Sequence, residues 1–189
     1  MTGIVLIGGK SKRFGKDKII TPIDDKPMIR KVIDVIQDMF DEVILVGHPR
    51  DDLNTFKIVE DIIPGCGPLG GIYTALEVAK NKYIFVFGAD MPLLDTEFIK
   101  HMVSLADKHD IILPIWREGM EPLHAIYNKA LIPTIASLID RKFFKIAQLI
   151  GLEDVSVLKV TEDQIRTFGE PERIFLNINT ITDLKTISR

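Results

Sequence analysis

The sequence predicts an α/β fold: a single domain of three layers, α/β/α, around a mostly parallel sheet. Three observations carry that expectation. Short, nearly continuous apolar runs recur along the chain, as in strands buried on both faces. Helix-period stretches alternate with them, as βαβ crossovers require. The length, 189 residues with 46% apolar content, suits one core spanning residues 1–189. No internal repeat, low-complexity tract or linker divides the chain.

The elements follow in order. GIVLI (3–7), EVILVG (42–47), KYIFVFG (82–88), DIILPI (110–115) and HAIY (124–127) are mostly β-branched or aromatic and read as strands of a parallel sheet. Between them, PMIRKVIDVIQDMF (27–40), PLGGIYTALEVAK (68–80) and DTEFIKHMVSLADKH (95–109) have helical period. In the last, Ile99, Met102, Val103 and Ala106 form one stripe. Beyond residue 128 the spacing predicts helices over 129–139 and 144–150, a strand near 154–159 and a final helix from about 181. These close over the sheet as part of the same domain.

Composition excludes several classes. With 24 Lys plus Arg against 27 Asp plus Glu, the formal charge is -3, which is no footprint of a strongly basic nucleic-acid binder. Cys66 is the only cysteine, so neither an internal disulfide nor a multi-thiolate zinc site is available, and a cytoplasmic protein is expected. The start, MTGIVLIGG, has no basic n-region or long apolar core and does not read as a signal peptide. The longest apolar stretches are broken by Lys, Asp or Pro within ten residues, so no membrane span is expected.

The most informative segment is LIGGKSKRFGKDK, Leu6 to Lys18. A buried strand ends at Ile7, and the next eleven residues hold three glycines, four lysines and one arginine. Gly8 and Gly9 leave bare backbone N–H groups able to converge on an anion. Arg13 offers a planar fork for phosphate oxygens, and Lys18 a point charge that can follow developing negative charge. The loop stands at the carboxyl end of a strand, where open parallel sheets bind ligands. Neither G-x-x-x-x-G-K-[ST] nor G-x-G-x-x-G is present. The alternative is a solvated basic turn.

Asp90 lies in FVFGADMPLL (85–94), after a wholly apolar strand and between the small residues Gly88 and Ala89 and the strand-ending Pro92. A carboxylate there suits magnesium, which takes one or two protein carboxylates together with phosphate oxygens and waters. The competing role, helix N-cap, is filled better by Asp95 and Thr96.

Other residues are less specific. Asp61, in VEDIIPGCGPLGG, is placed to read guanine, by accepting from its N–H groups, or ribose, or is a surface acid in a turn. Gly70 and Gly71 early in a helix cost about 1 kcal/mol each against Ala, which a close approach of backbone or ligand would offset. His124 reads as a satisfied core or subsite histidine before a catalytic base, and Cys66 as inert. Arg141 and Lys142 suit a substrate phosphate or the end of a helix. Asn177 and Asn179, two apart in FLNINT, share one face of an extended segment.

Together LIGGKSKRFGKDK, VEDIIPGCGPLGGI, FVFGADMP, EPLHAIY and NINTITDL resemble, in order and spacing, the molybdenum cofactor guanylyltransferases, a branch of the sugar-nucleotide-type nucleotidyltransferases. The resemblance covers essentially the whole chain. It implies a Rossmann-like sheet of the nucleotide-diphospho-sugar transferase type, and transfer of GMP from GTP to molybdopterin with release of pyrophosphate. It further implies that Leu6, Ile7, Gly8 and Gly9 hold the nucleotide, Arg13 and Lys18 the triphosphate, Asp61 the guanine or ribose side and Asp90 Mg2+. Asn177, Asn179 and Arg141 would face the pterin substrate. No nucleic acid or membrane is a partner in this reading, and transient contact with other molybdenum cofactor proteins is. Two readings compete with it: a cytidylyltransferase of the same fold acting on molybdopterin or a sugar or polyol phosphate, and a GTP-binding module without catalysis.

Overall fold

The structure, a computed structural model, describes residues 1–8, 18–23, 25–179 and 183, with the main chain alone for Lys18. The first strand, β1 (Thr2–Leu6), is buried at every position, because strands flank it on both sides and helices cover both faces. A 3-10 turn at Lys18–Ile20 leads into a small hairpin of β2 (Pro22–Ile23) and β3 (Lys26–Pro27). Helix α1 (Met28–Ile36) follows, with Met28, Ile29, Val32, Ile33 and Ile36 buried along one face.

Next come β4 (Glu42–Val46), β5 (Lys57–Val59), α2 (Gly67–Val78), β6 (Tyr83–Gly88) and α3 (Thr96–Ser104). Asp95 caps α3, its Oδ1 accepting from Phe98 N at 2.8 Å, so the cap of this helix is Asp95 and not Asp90. The chain continues through β7 (Ile111–Trp116), β8 (Gly119–Met120), β9 (His124–Asn128), α4 (Ile132–Asp140), α5 (Ile146–Ile150), β10 (Val157–Thr161), α6 (Glu162–Arg166) and α7 (Pro171–Ile174). The expected final helix falls outside the described residues, Asp183 apart.

Among the described residues the main sheet runs β10-β7-β9-β6-β1-β4-β5, with β8 paired to β7 alone. β1 is parallel to β4 and β6, β4 to β5, and β7 to β10. The HAIY run does not join them in direction: β9 is antiparallel to both β6 and β7. The cause is the connection, since Trp116 already pairs with Gly119 in a tight reversal, and a parallel return needs a crossover of about a dozen residues. β5, β8, α6 and α7, of two to five residues each, are too short for periodicity to reveal.

Alternate residues of each strand feed two cores. Val5, Leu45, Phe85 and Phe87 pack with α1 and α3 on one face; Ile4, Ile44, Ile84 and Val86 pack with α2 and α4 on the other. That is the three-layer arrangement. No helix among the described residues is long and apolar enough to cross a membrane.

The connections from β1 to β4 and from β5 to β6 leave in opposite directions along the sheet, so the winding reverses between β1 and β6. Open α/β sheets bind ligands beyond the strand ends at such a reversal.

Candidate active site

The reversal fixes which residues meet. Leu6 pairs in register with Gly88, and Leu6 with Val46 on the other side. Gly8 and Asp90, each two residues past that register, therefore leave the sheet on the same rim. A cavity of about 1010 Å³ opens there, and Leu6, Ile7, Gly8, Asp61 and Asp90 all line it. Ile19, Leu123 and the start of α2 at Gly67–Pro68 complete much of the wall.

Asp90 holds its position through small neighbours. A Cβ on Gly88 would stand 2.8 Å from Asp90 Oδ1, closer than two such atoms ever rest, so only glycine lets the carboxylate fold back over the strand end. The Asp90 carbonyl accepts from Ile178 N at 2.9 Å. That bond brings the NINT segment to the same rim and places Asn177 and Asn179 on either side of the attachment. Asn177 Nδ2 donates to Phe175 O at 3.4 Å, and Asn179 N to Asp183 Oδ2 at 2.7 Å.

Among the described residues no group of three His, Cys, Asp or Glu could cage a metal ion. A carboxylate facing an open cavity fits a hard cation that arrives with phosphate oxygens and keeps its waters. Asp90, with the Gly88 cradle behind it, meets that requirement.

Asp61 lines the cavity as well, as do Asp51 and Asp52. The Oδ1 of Asp61 is buried with no hydrogen-bond partner among the described residues, and burial pushes its carboxyl above the usual range, partly opposed by His48. A desolvated acceptor with nothing to accept from suits a ligand with N–H donors. Close approaches also explain the helical glycines: a Cβ on Gly71 would stand 3.2 Å from Leu6 Cδ2, and one on Gly70 2.7 Å from Cys66 Cβ.

Gly9 and Arg13 lie outside the described residues, as does the side chain of Lys18. Arg141 is set apart: it ends α4 with its guanidinium 4.9 Å from the Phe143 ring centre and does not line the cavity. Sequence reasoning missed Arg50, which lines the cavity in a fork with Asp52, both contacts at 3.1 Å. The available signal was its place in the turn after the second long strand.

Two residues are removed from the chemistry. His124 is fully buried, stacked on Phe98 at 5.5 Å and edge-on to Phe85, Phe87 and Phe175. Neither ring nitrogen has a hydrogen-bond partner among the described residues, so it is a core histidine but not a satisfied one. Burial lowers its pKa to about 3. Cys66 is buried at the start of α2, and burial with the nearby Asp61 pushes its thiol up, away from nucleophilic character.

The description "MobA-like NTP transferase domain" matches residues 3–154. A probable molybdenum cofactor guanylyltransferase of Natranaerobius thermophilus is 36% identical over 98% of this chain and 93% of its own. One from Pyrococcus furiosus is 34% identical over 98% and 95%. The crystal structure of molybdopterin-guanine dinucleotide biosynthesis protein A from Archaeoglobus fulgidus superposes with a TM-score of 0.82, at 26% identity over 98% of this chain and 96% of that one.

Proposed function

Since the chain belongs to the family of MobA-like NTP transferase domains, we propose that it is a molybdenum cofactor guanylyltransferase, transferring GMP from GTP to molybdopterin. The products are the guanine dinucleotide cofactor and pyrophosphate. The observation that carries this reading is the shared rim of Gly8 and Asp90 across the β1–β6 reversal, where a bare main chain and the Asp90 carboxylate face one cavity.

In this reading the main chain from Leu6 to Gly9 cradles the nucleotide phosphates, and Arg13 and Lys18 offset charge on the triphosphate. Asp61 accepts from guanine N–H groups. Asp90 holds Mg2+, which when bound supplies charge neutralisation at the α-phosphate. Asn177 and Asn179 reach the pterin substrate from the segment hydrogen-bonded to Asp90, and Arg141 takes a more distant part of it.

The acceptor is itself a phosphate with a second pKa near 6, so it is largely dianionic at pH 7 and needs no general base. In agreement, His124 is buried and neutral and Cys66 is a buried thiol, and neither lines the cavity. Catalysis then rests on bringing two anions into line and neutralising the charge that develops. Action in the cytoplasm and transient contact with other molybdenum cofactor proteins belong to the same proposal.

Pyrophosphate release is to be measured with each of the four nucleoside triphosphates, with and without molybdopterin. Release that requires both GTP and molybdopterin is expected. Release with CTP in place of GTP overturns the guanine assignment, and GTP binding without release overturns the enzyme.

A further inference from the structure

A further carboxylate stands at this end of the sheet, beside the cavity but not among its lining residues, on the side away from Asp61. Glu121 lies in the turn between β8 and β9, two residues before Leu123, which lines the cavity and accepts from Gly88 N at 2.9 Å. Its main chain is held at both ends: Glu121 N donates to Pro114 O at 3.0 Å, and Glu121 O accepts from His124 N at 3.0 Å. Its side chain is held as well, since Oε1 accepts from the indole N–H of Trp116 at 2.8 Å. Trp116 is itself 7% exposed and packs on Phe175 with ring centres 5.9 Å apart.

Among the described residues no cation pairs with Glu121. Arg117, the nearest in sequence, is turned to Glu172 at 2.8 Å, and among the described residues the Trp116 indole is the one group donating to the Glu121 carboxylate. Burial first, then repulsion from Glu118 and Asp90, raises the Glu121 carboxyl above its usual range against the pull of the indole. An ionised carboxylate offers about four lone pairs, and the indole takes one. The half-buried carboxylate thus keeps acceptor lone pairs open to a ligand.

Sheet order gives the ligand a direction. Along β7-β9-β6-β1-β4-β5, Glu121 precedes β9, Asp90 follows β6 and Asp61 follows β5, so the acid proposed to hold Mg2+ at the phosphates stands between Glu121 and Asp61. The product has the same layout. Guanine and a pterin both present a ring N–H beside an exocyclic amino group, and in the dinucleotide a pyrophosphate links them. We propose that Glu121 reads the pterin end, accepting from the ring N–H and 2-amino group of molybdopterin as Asp61 accepts from guanine. This rests on the guanylyltransferase reading above.

Glu121→Gln keeps the volume and an oxygen for the Trp116 indole while exchanging an acceptor for a donor. The expected result is a rise of about 10- to 100-fold in KM for molybdopterin, as for loss of a hydrogen bond to a charged group, with KM for GTP and the magnesium dependence within about two-fold. Wild type is also expected to be inhibited more strongly by 6-hydroxymethylpterin than by 6-hydroxymethyllumazine, which carries an oxo group in place of the 2-amino group, and the variant to lose that preference. An unchanged KM for molybdopterin overturns the proposal. So does a joint rise in both KM values with a lower Tm, which would make Glu121 part of the framework. If wild type itself releases no pyrophosphate from GTP and molybdopterin, the guanylyltransferase reading falls and this proposal with it; a working wild type beside an unaffected variant sinks this proposal alone.

Discussion

The main-chain N–H of Ile178 donates to the carbonyl of Asp90 across 2.9 Å. One bond thus joins the NINT segment to the loop that carries the proposed metal carboxylate. Ile178 is fully buried against Ile23 and Met28, so the attachment is anchored from behind. Ile178→Pro removes the donor and is expected to lower kcat about ten-fold while leaving the Kd for GTP within about two-fold, measured by steady-state kinetics and equilibrium dialysis on one preparation. A loss of GTP binding as large as the loss of turnover would count against the link.

Gly88→Ala would bring a Cβ to 2.8 Å from Asp90 Oδ1 and push the carboxylate off its position. The variant is expected to bind Mn2+ in the presence of GTP about ten-fold more weakly, read by electron paramagnetic resonance, with Tm lowered by only a few degrees. Asp90→Asn should have the larger effect on the same readout.

Lys18→Ala is expected to reduce turnover about 100-fold or more, as for loss of one electrostatic donor, with a far smaller change in GTP affinity. Unchanged turnover removes Lys18 from the mechanism.

Asp61 links function to stability. Its folded carboxyl is raised by burial, so the free protein is penalised increasingly as the pH rises above the unfolded value of about 3.9, and the penalty vanishes below it. Asp61→Asn should therefore raise Tm at pH 7 in the absence of nucleotide, with the gain shrinking toward pH 4, while KM for GTP increases. Parallel melting curves at several pH values test the sign.

His124 acts in the opposite direction. Its folded pKa is depressed to about 3 by burial, so its contribution is fully present above the unfolded value of about 6.5 and is lost as the pH falls from there toward 3, at about 1.4 kcal/mol per pH unit. His124→Phe keeps a ring against Phe98 and should flatten the decline of stability between pH 6.5 and 4, measured by urea unfolding. An unchanged slope assigns the decline to other groups.

Sequence alone determined the layers, the long strands and helices, and the identity of the Gly8 and Asp90 loops, because each is written in a local signal: an apolar run, a helical stripe, a glycine pair or a carboxylate after a strand. Tertiary structure decided the direction of β9, the detachment of Arg141 from the cavity, the docking of Ile178 on Asp90 and the placing of Glu121 opposite Asp61. None of these leaves a local trace. They depend on strand order and on hydrogen bonds between residues far apart in the chain, and such pairings are fixed only when the sheet has formed and its rim has a shape.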